Sequence, residues 1–242
     1  MDHDQHLIAL RRDGDAFVAS ARVAGLTAVV PSCPRWTVAD LVWHLAEVDY
    51  FWGSVVQQKA AGWDEVVRIT RPGDVADLFG EYEARFAHAL DVLASADPTS
   101  TVWTWSEDHS AGFVMRRLAN ETAMHLWDVN AAAGTTTPIE ATLASDGIDE
   151  FLSHFVADIS ERAQPVGGSV HIHCTDVAGE WTIRPTSDGF SVTREHAKGD
   201  CALRGSASDI LLALWRRALA DSIEIIGDAG VASRFLASAN LD

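Results

Sequence analysis

The chain has few cysteines, little basic charge and no long apolar run, and each shortage removes a class of function. Cys33, Cys174 and Cys201 are an odd, widely spaced trio with no Cys-x-x-Cys pair. Neither a disulfide framework nor a cysteine-based zinc site is expected from them. Lys and Arg number 18 against 35 Asp and Glu, a formal net charge of −17. A general basic field for nucleic acid or anionic membrane is therefore excluded, although a local basic cluster for a small anion is not. No stretch approaches the roughly 20 uninterrupted apolar residues of a membrane span. Met1-Asp-His-Asp-Gln-His6 is polar and acidic, and the expectation is a cytoplasmic protein with no membrane partner. Internal repeats and low-complexity tracts are also lacking.

What is present is apolar patterning. Of 242 residues, 48% are hydrophobic and nine are tryptophan, enough for one large core or two modest ones. Leu7, Ile8, Leu10, Phe17, Val18 and Val23 predict an amphipathic helix over 4–25, broken by Pro31-Ser-Cys-Pro34. Thr37-Val-Ala-Asp40 has the form of an N-terminal cap. It opens a helix to about residue 60 whose stripe runs Leu41, Leu45, Val48, Phe51 or Trp52, and Val55. A third helix is predicted over 74–95, ended by Asp97-Pro98, and a fourth over 111–133, closed by Gly134. Four such helices with short or medium connections are the pattern of a bundle.

Two of these helices carry polar groups where apolar ones belong. His44 lies on the stripe of the second helix, and the inward face of the fourth runs Leu118, Glu121 or Thr122, His125, and Asp128 or Val129. Residues four apart on a helix share a face, so Glu121 and His125 can point at one atom. Buried carboxylates and imidazoles need partners. If the helix of His44 packs against theirs, the three form a two-histidine, one-carboxylate site for a divalent transition metal with coordination positions left open. Asp128, one turn beyond His125, is either a group orienting that imidazole or a surface charge. Taken singly, His44 also reads as a core histidine and Glu121 with His125 as an ordinary helix pair; a metal would satisfy Glu121 and His125 together.

A further helix is predicted over 139–163, before a hinge at Pro165-Val-Gly-Gly168. Beyond it, Ser169–Thr175, Glu180–Arg184 and Phe190–Arg194 alternate with the two-residue period of strands. Ser206-Ala-Ser-Asp209 caps a helix through Ile210, Leu211, Leu214 and Trp215; Ser222–Gly227 reads as one more strand, and Asp228 begins a terminal helix. The expected fold is α plus α+β: a four-helix bundle over 1–165 and a small α+β domain over 166–242. His171 and His173 share a strand face but lack an apparent third ligand, so solvated strand polarity is the expectation. Trp36, Trp43, Trp52 and Trp127 read as core and helix-contact residues, not a ligand cage. Cys33 has no nearby base in sequence and no expected nucleophilic role.

Four stretches carry a family resemblance. Trp36-Thr-Val-Ala-Asp-Leu-Val-Trp-His44-Leu, Arg117-Leu-Ala-Asn-Glu121-Thr-Ala-Met-His125-Leu-Trp-Asp128, Ile210-Leu-Leu-Ala-Leu-Trp-Arg-Arg217 and Ile226-Gly-Asp228 together resemble the mycothiol-dependent maleylpyruvate isomerase family. The resemblance implies a DinB-like metal-binding bundle joined to a small domain similar to sterol carrier proteins. It implies zinc, or another divalent metal, held by His44, Glu121 and His125, mycothiol as thiol cosubstrate, and Arg217 reaching toward the active site. The chain departs from the family pattern at Asn120, where histidine is frequent, at Leu126, where a basic residue is frequent, and at Arg216, where glycine is common.

The implied chemistry is that of a metal-stabilised thiolate, the nucleophilic form of a thiol. Adding to a cis double bond and leaving after rotation, it gives an isomerase; remaining attached to a small electrophile, it gives an S-transferase. Arg217 is either a planar clamp for a substrate carboxylate or an ordinary helix-surface arginine. A different class of reading is a non-catalytic protein that binds a metal or a hydrophobic ligand. Sequence does not set the oligomeric state.

Overall fold

The computed structural model describes residues 1–73, 77–156, 166–187, 189–217 and 222–238. The chain divides into two compact units, Met1–Thr137 and Pro138–Asp242. Among the described residues no helix is long and apolar enough to cross a membrane.

The first unit contains helices α1 (His3–Ala24), α2 (Val38–Gln58), α3 (Leu78–Ser95) and α4 (Ala111–Ala132). Between α1 and α2 lies a short hairpin of β1 (Val29–Val30) and β2 (Cys33–Thr37). The prolines that signal a break after α1 thus sit in a turn and its return strand. At the start of α3, residues 74–76 of the predicted helix lie outside the described residues. Helix α1 packs along α4 and α2 along α3, while α2 also meets α4. Leu10, Phe17, Leu41, Leu45, Leu78, Tyr82, Met115 and Leu118 are fully buried between them, each contributing about 1.5–3 kcal/mol by leaving water. Gly14 lets α1 approach α3, because a Cβ there would lie 2.1 Å from the ring of Phe86.

The start of α2 is fixed by a reciprocal cap. Thr37 Oγ1 accepts from the Asp40 amide at 3.3 Å, and the Asp40 carboxylate accepts from the Thr37 amide at 2.8 Å. The hydroxyl of Thr37 and then the Arg71 guanidinium hold the Asp40 carboxyl down at about 2. A capping box of this kind satisfies two amides left unpaired by the first turn. His44 follows one turn after Asp40 on the same helix.

The second unit contains α5 (Ala141–Glu150), β3 (Val170–Cys174), β4 (Glu180–Thr186), β5 (Gly189–Thr193), β6 (Cys201–Gly205), α6 (Ala207–Leu214), β7 (Glu224–Gly227) and α7 (Ala229–Ser238). The five strands form one sheet in the order β5-β4-β3-β6-β7; β3 and β6 run parallel and every other pair antiparallel. Strand β6 is absent from the sequence expectation, its buried Cys201 and Leu203 being too short an alternation to stand out. The apolar face carries Val170, Ile172, Trp181 and Ile183. Helix α7 meets this face through Phe235 against Phe190, and α5 through Asp149, which accepts from Trp181 Nε1 at 2.9 Å.

The two units divide at Thr137/Pro138, against an expected boundary at 165. Helix α5 packs on α6, and Ser145 Oγ donates to the Ala178 carbonyl at 3.1 Å, so α5 is part of the sheet unit. Its apolar stripe is compatible with a fifth bundle helix as well, because periodicity states which face is buried but not against what. The helix continues through a π-type turn at Phe151–Phe155; residues 157–163 of the predicted helix and Pro165 of the predicted hinge lie outside the described residues.

Candidate metal centre

Helices α2 and α4 bring three predicted residues to one point. His44 Nε2 and His125 Nε2 lie 3.0 Å and 3.2 Å from the same oxygen, Glu121 Oε1. The two imidazole rings are 5.0 Å apart and nearly perpendicular. Donors bound to one zinc at about 2.1 Å, with angles of roughly 90–110°, lie about 3.0–3.4 Å apart. Both imidazole-to-carboxylate distances match that spacing, the three donor atoms all lie within 4.8 Å of one another, and two imidazoles with one carboxylate suit borderline transition ions.

Two of the three ligand groups, His125 and Glu121, have a second attachment that aims them. Asp128 Oδ2 lies 2.9 Å from His125 Nδ1, while Oδ1 accepts from the Ser32 hydroxyl at 2.5 Å. The Nδ1 proton is thereby held by Asp128, so that once Nε2 gives up its own proton its lone pair faces the shared point. Arg117 Nη2 donates to Glu121 Oε2 at 2.7 Å, leaving Oε1 for the histidines. Side-chain exposure falls from 31% at His44 through 21% at Glu121 to 7% at His125 and nothing at Asp128. The point is closed on the α4 side and approachable past His44, whose ring is bordered by Trp36 at 5.0 Å.

The electrostatics follow from this packing. Burial opposes ionisation of Glu121, yet the charges of His125 and Arg117 and the imidazole hydrogen bonds hold its carboxyl well below the ordinary value. Burial also opposes charge on His125, but Glu121 and Asp128 outweigh it and lift the imidazole to about 9. Asp49, little more than a turn beyond His44 on α2, has neither carboxylate oxygen in a hydrogen bond among the described residues. Burial and then the negative charge of Glu121 push its pKa well up, favouring the protonated acid.

The remaining predicted residue lies in the other unit. Arg217 follows α6; its amide donates to the Leu212 carbonyl at 2.7 Å and Nη1 to the Trp215 carbonyl at 3.0 Å, with the guanidinium 5.8 Å from the Trp215 ring. Arg216 before it has a φ of 57°, the left-handed region where glycine is unstrained. Ser32, Arg117 and Asp49 were not singled out from sequence. For Arg117 the signal was its spacing of four from Glu121; for Ser32, 96 positions from Asp128, there was none.

Residues 7–130 match the family model of the mycothiol maleylpyruvate isomerase N-terminal domain, and residues 142–234 match that of the family's C-terminal domain. The chain belongs to this family. Two solved structures resemble it over its length: the mycothiol-dependent maleylpyruvate isomerase, and a variant of that protein with one histidine changed to alanine. Each shares 11% identity with this chain, with a TM-score of 0.66 over 93% of both chains. At that identity the likeness establishes the fold, a helical domain followed by an α+β domain. No curated protein sequence matches the chain.

Proposed function

We propose that this chain is a zinc-dependent, mycothiol-dependent isomerase or S-transferase acting on a small electrophile in the cytoplasm. The observation that carries the reading is the convergence of His44 and His125 on Glu121 Oε1 at 3.0 and 3.2 Å, with His125 and Glu121 aimed from behind, in a member of this family. Zinc bound there would supply Lewis acidity that keeps a thiol in its thiolate form at neutral pH.

The protein's own groups do the rest. Asp128 keeps the His125 proton on Nδ1, so that Nε2 presents a lone pair. Arg117 balances the Glu121 charge that burial would otherwise penalise. The partly exposed edge at His44 leaves a path for a small thiol, with Trp36 as an apolar wall for its approach. Arg217 would hold a substrate carboxylate in a two-point contact, for which a planar guanidinium suits better than an ammonium. In isomerisation, a sulfur–carbon bond forms at an activated cis double bond, rotation follows, and the same bond breaks; in transfer it persists.

The test is metal analysis of untagged wild type beside His125→Ala, followed by turnover of an electrophile such as maleylpyruvate with and without mycothiol. Expected are zinc at this site in the wild type only, and turnover that needs the thiol. Equal zinc occupancy in both proteins overturns the coordination. Full turnover without thiol overturns the mechanism, and tight ligand binding with no turnover favours the binding-protein reading.

A further inference from the structure

The sheet of the second unit holds a second cluster of metal-ligating side chains on its polar face. His171 and His173 are two apart on β3 and so project the same way. Antiparallel register sets Glu180 of β4 directly across from His173, and Glu180 Oε1 is hydrogen-bonded to His173 Nδ1. A third imidazole, His196, arrives from the segment after β5 and places Nδ1 3.1 Å from the same carboxylate oxygen. Its ring stands 5.0 Å from that of His171, nearly perpendicular to it. One donor atom from each of His171, His173 and Glu180 lies within 4.8 Å of the other two.

His171 distinguishes this cluster from ordinary surface polarity. The residue is buried to 8% exposure, and among the described residues Nε2 has no hydrogen-bond partner. A buried polar atom left unpaired costs about 1–3 kcal/mol, and a bound cation is one way to recover it. The surroundings do not oppose a cation. Arg204 of β6 stands beside His173, but its guanidinium is paired with Glu224 of β7 at 2.9 Å.

The segment carrying His196 is itself anchored. Thr182 Oγ1 donates to the Glu195 carbonyl at 3.1 Å. Gly199 then passes so close to β3 that a Cβ there would lie 3.0 Å from the His171 amide nitrogen. The third histidine is thus tied to the sheet on both sides.

We infer that His171, His173 and Glu180, with His196 as a fourth donor, form a second binding site for a divalent transition ion of the imidazole-preferring class, zinc foremost. Three imidazoles and one carboxylate match the ligand set of such ions and not the all-oxygen shells of calcium or magnesium. The site is separate in sequence and in unit from His44, Glu121 and His125, and it does not depend on the proposed activity.

The test is equilibrium dialysis of untagged, full-length protein against zinc ion alone, comparing wild type, His125→Ala, His173→Gln and the double variant. His173 is partly exposed, at 35% of its side chain, so glutamine is compatible with the strand; far-UV circular dichroism and thermal melting check that the sheet persists. Should His173→Gln fail that check, His196→Ala, at 74% exposure, takes its place. The expected result is that His173→Gln loses one zinc equivalent per chain, both from wild type and from His125→Ala. Cobalt(II) substituted into His125→Ala should give visible d–d bands that vanish in the double variant. Identical zinc uptake with and without His173, in both backgrounds, overturns the inference whatever happens at His125.

Discussion

The two histidine–glutamate clusters are built from the same residue types on two kinds of scaffold. In the helical unit, Glu121 and His125 are one turn apart on α4 and His44 comes from α2; behind them stand Arg117, Asp128 and, through Asp128, Ser32. In the sheet unit, alternate residues of β3 meet Glu180 across the ladder, and three imidazoles surround one carboxylate. The helical cluster uses the secondary hydrogen bonds of Glu121 and His125 for orientation, whereas in the sheet cluster His171 Nε2 has none among the described residues. Backing groups of the first kind make a site rigid enough for chemistry. The second arrangement is that of a site completed only when an ion arrives.

The sharpest way to break this comparison is to delete a ligand from each. His125→Ala should abolish zinc binding at the helical site and leave the sheet site as it is, while His173→Gln should do the reverse; atomic absorption on dialysed protein reads both. Loss of both equivalents from one substitution would mean that the clusters are not independent.

Removing a backing group should weaken a site without erasing it. Asp128→Asn keeps the shape but no longer requires the proton on His125 Nδ1. Outer groups of this kind are worth about 10–100-fold in metal affinity, so the helical site's zinc Kd should rise by about that factor in competition with a chromophoric chelator. An unchanged Kd would remove Asp128 from the machinery. No equivalent variant exists at the sheet site, where Glu180 is itself a ligand.

Protons compete with zinc differently at the two places. His125 is lifted to about 9, so its proton must leave when a metal binds at neutral pH. Zinc affinity at the helical site should therefore rise about tenfold per pH unit between roughly 7 and 9 and release about one proton there. Titration calorimetry on His173→Gln, in buffers of different ionisation enthalpy, measures that proton. His171, pushed down by burial, has none to release over the same range. For metal-free protein the sign is opposite: a folded pKa above the unfolded 6.5 gives stability that is complete below about 6.5 and lost as pH rises through about 9. A metal-free protein whose stability climbs from pH 7 to 9 would contradict the raised imidazole.

Much of this was legible from residue spacing, and the failures share a cause. Helices α2 and α4, the cap at Thr37 and the convergence of His44 with Glu121 and His125 all follow from local periodicity plus one assumption about packing. The partner of α5 was not legible, because Leu143 and Ile148 show a buried face without naming what buries it. The third ligand beside His171 and His173 was missed for a related reason. Glu180 is seven residues from His173 in sequence and becomes its neighbour only once β3 and β4 pair in a definite register. Arg216 adopts a left-handed backbone that costs an L side chain and that residue spacing does not reveal.

The smallest expected effect separates scaffold from site. Thr37→Ala deletes the hydroxyl that accepts from the Asp40 amide, and with it half of the reciprocal cap on α2. Loss of an N-cap of this kind costs about 1 kcal/mol, which should lower the thermal midpoint by a few degrees. His44 lies more than a turn further along α2 and is held at its far end by Glu121 at 3.0 Å. Zinc stoichiometry should therefore stay unchanged while stability falls. If zinc at the helical site falls as well, the aim of His44 comes from the cap and not from the facing helix, and the helical cluster is less preorganised than its backing groups imply.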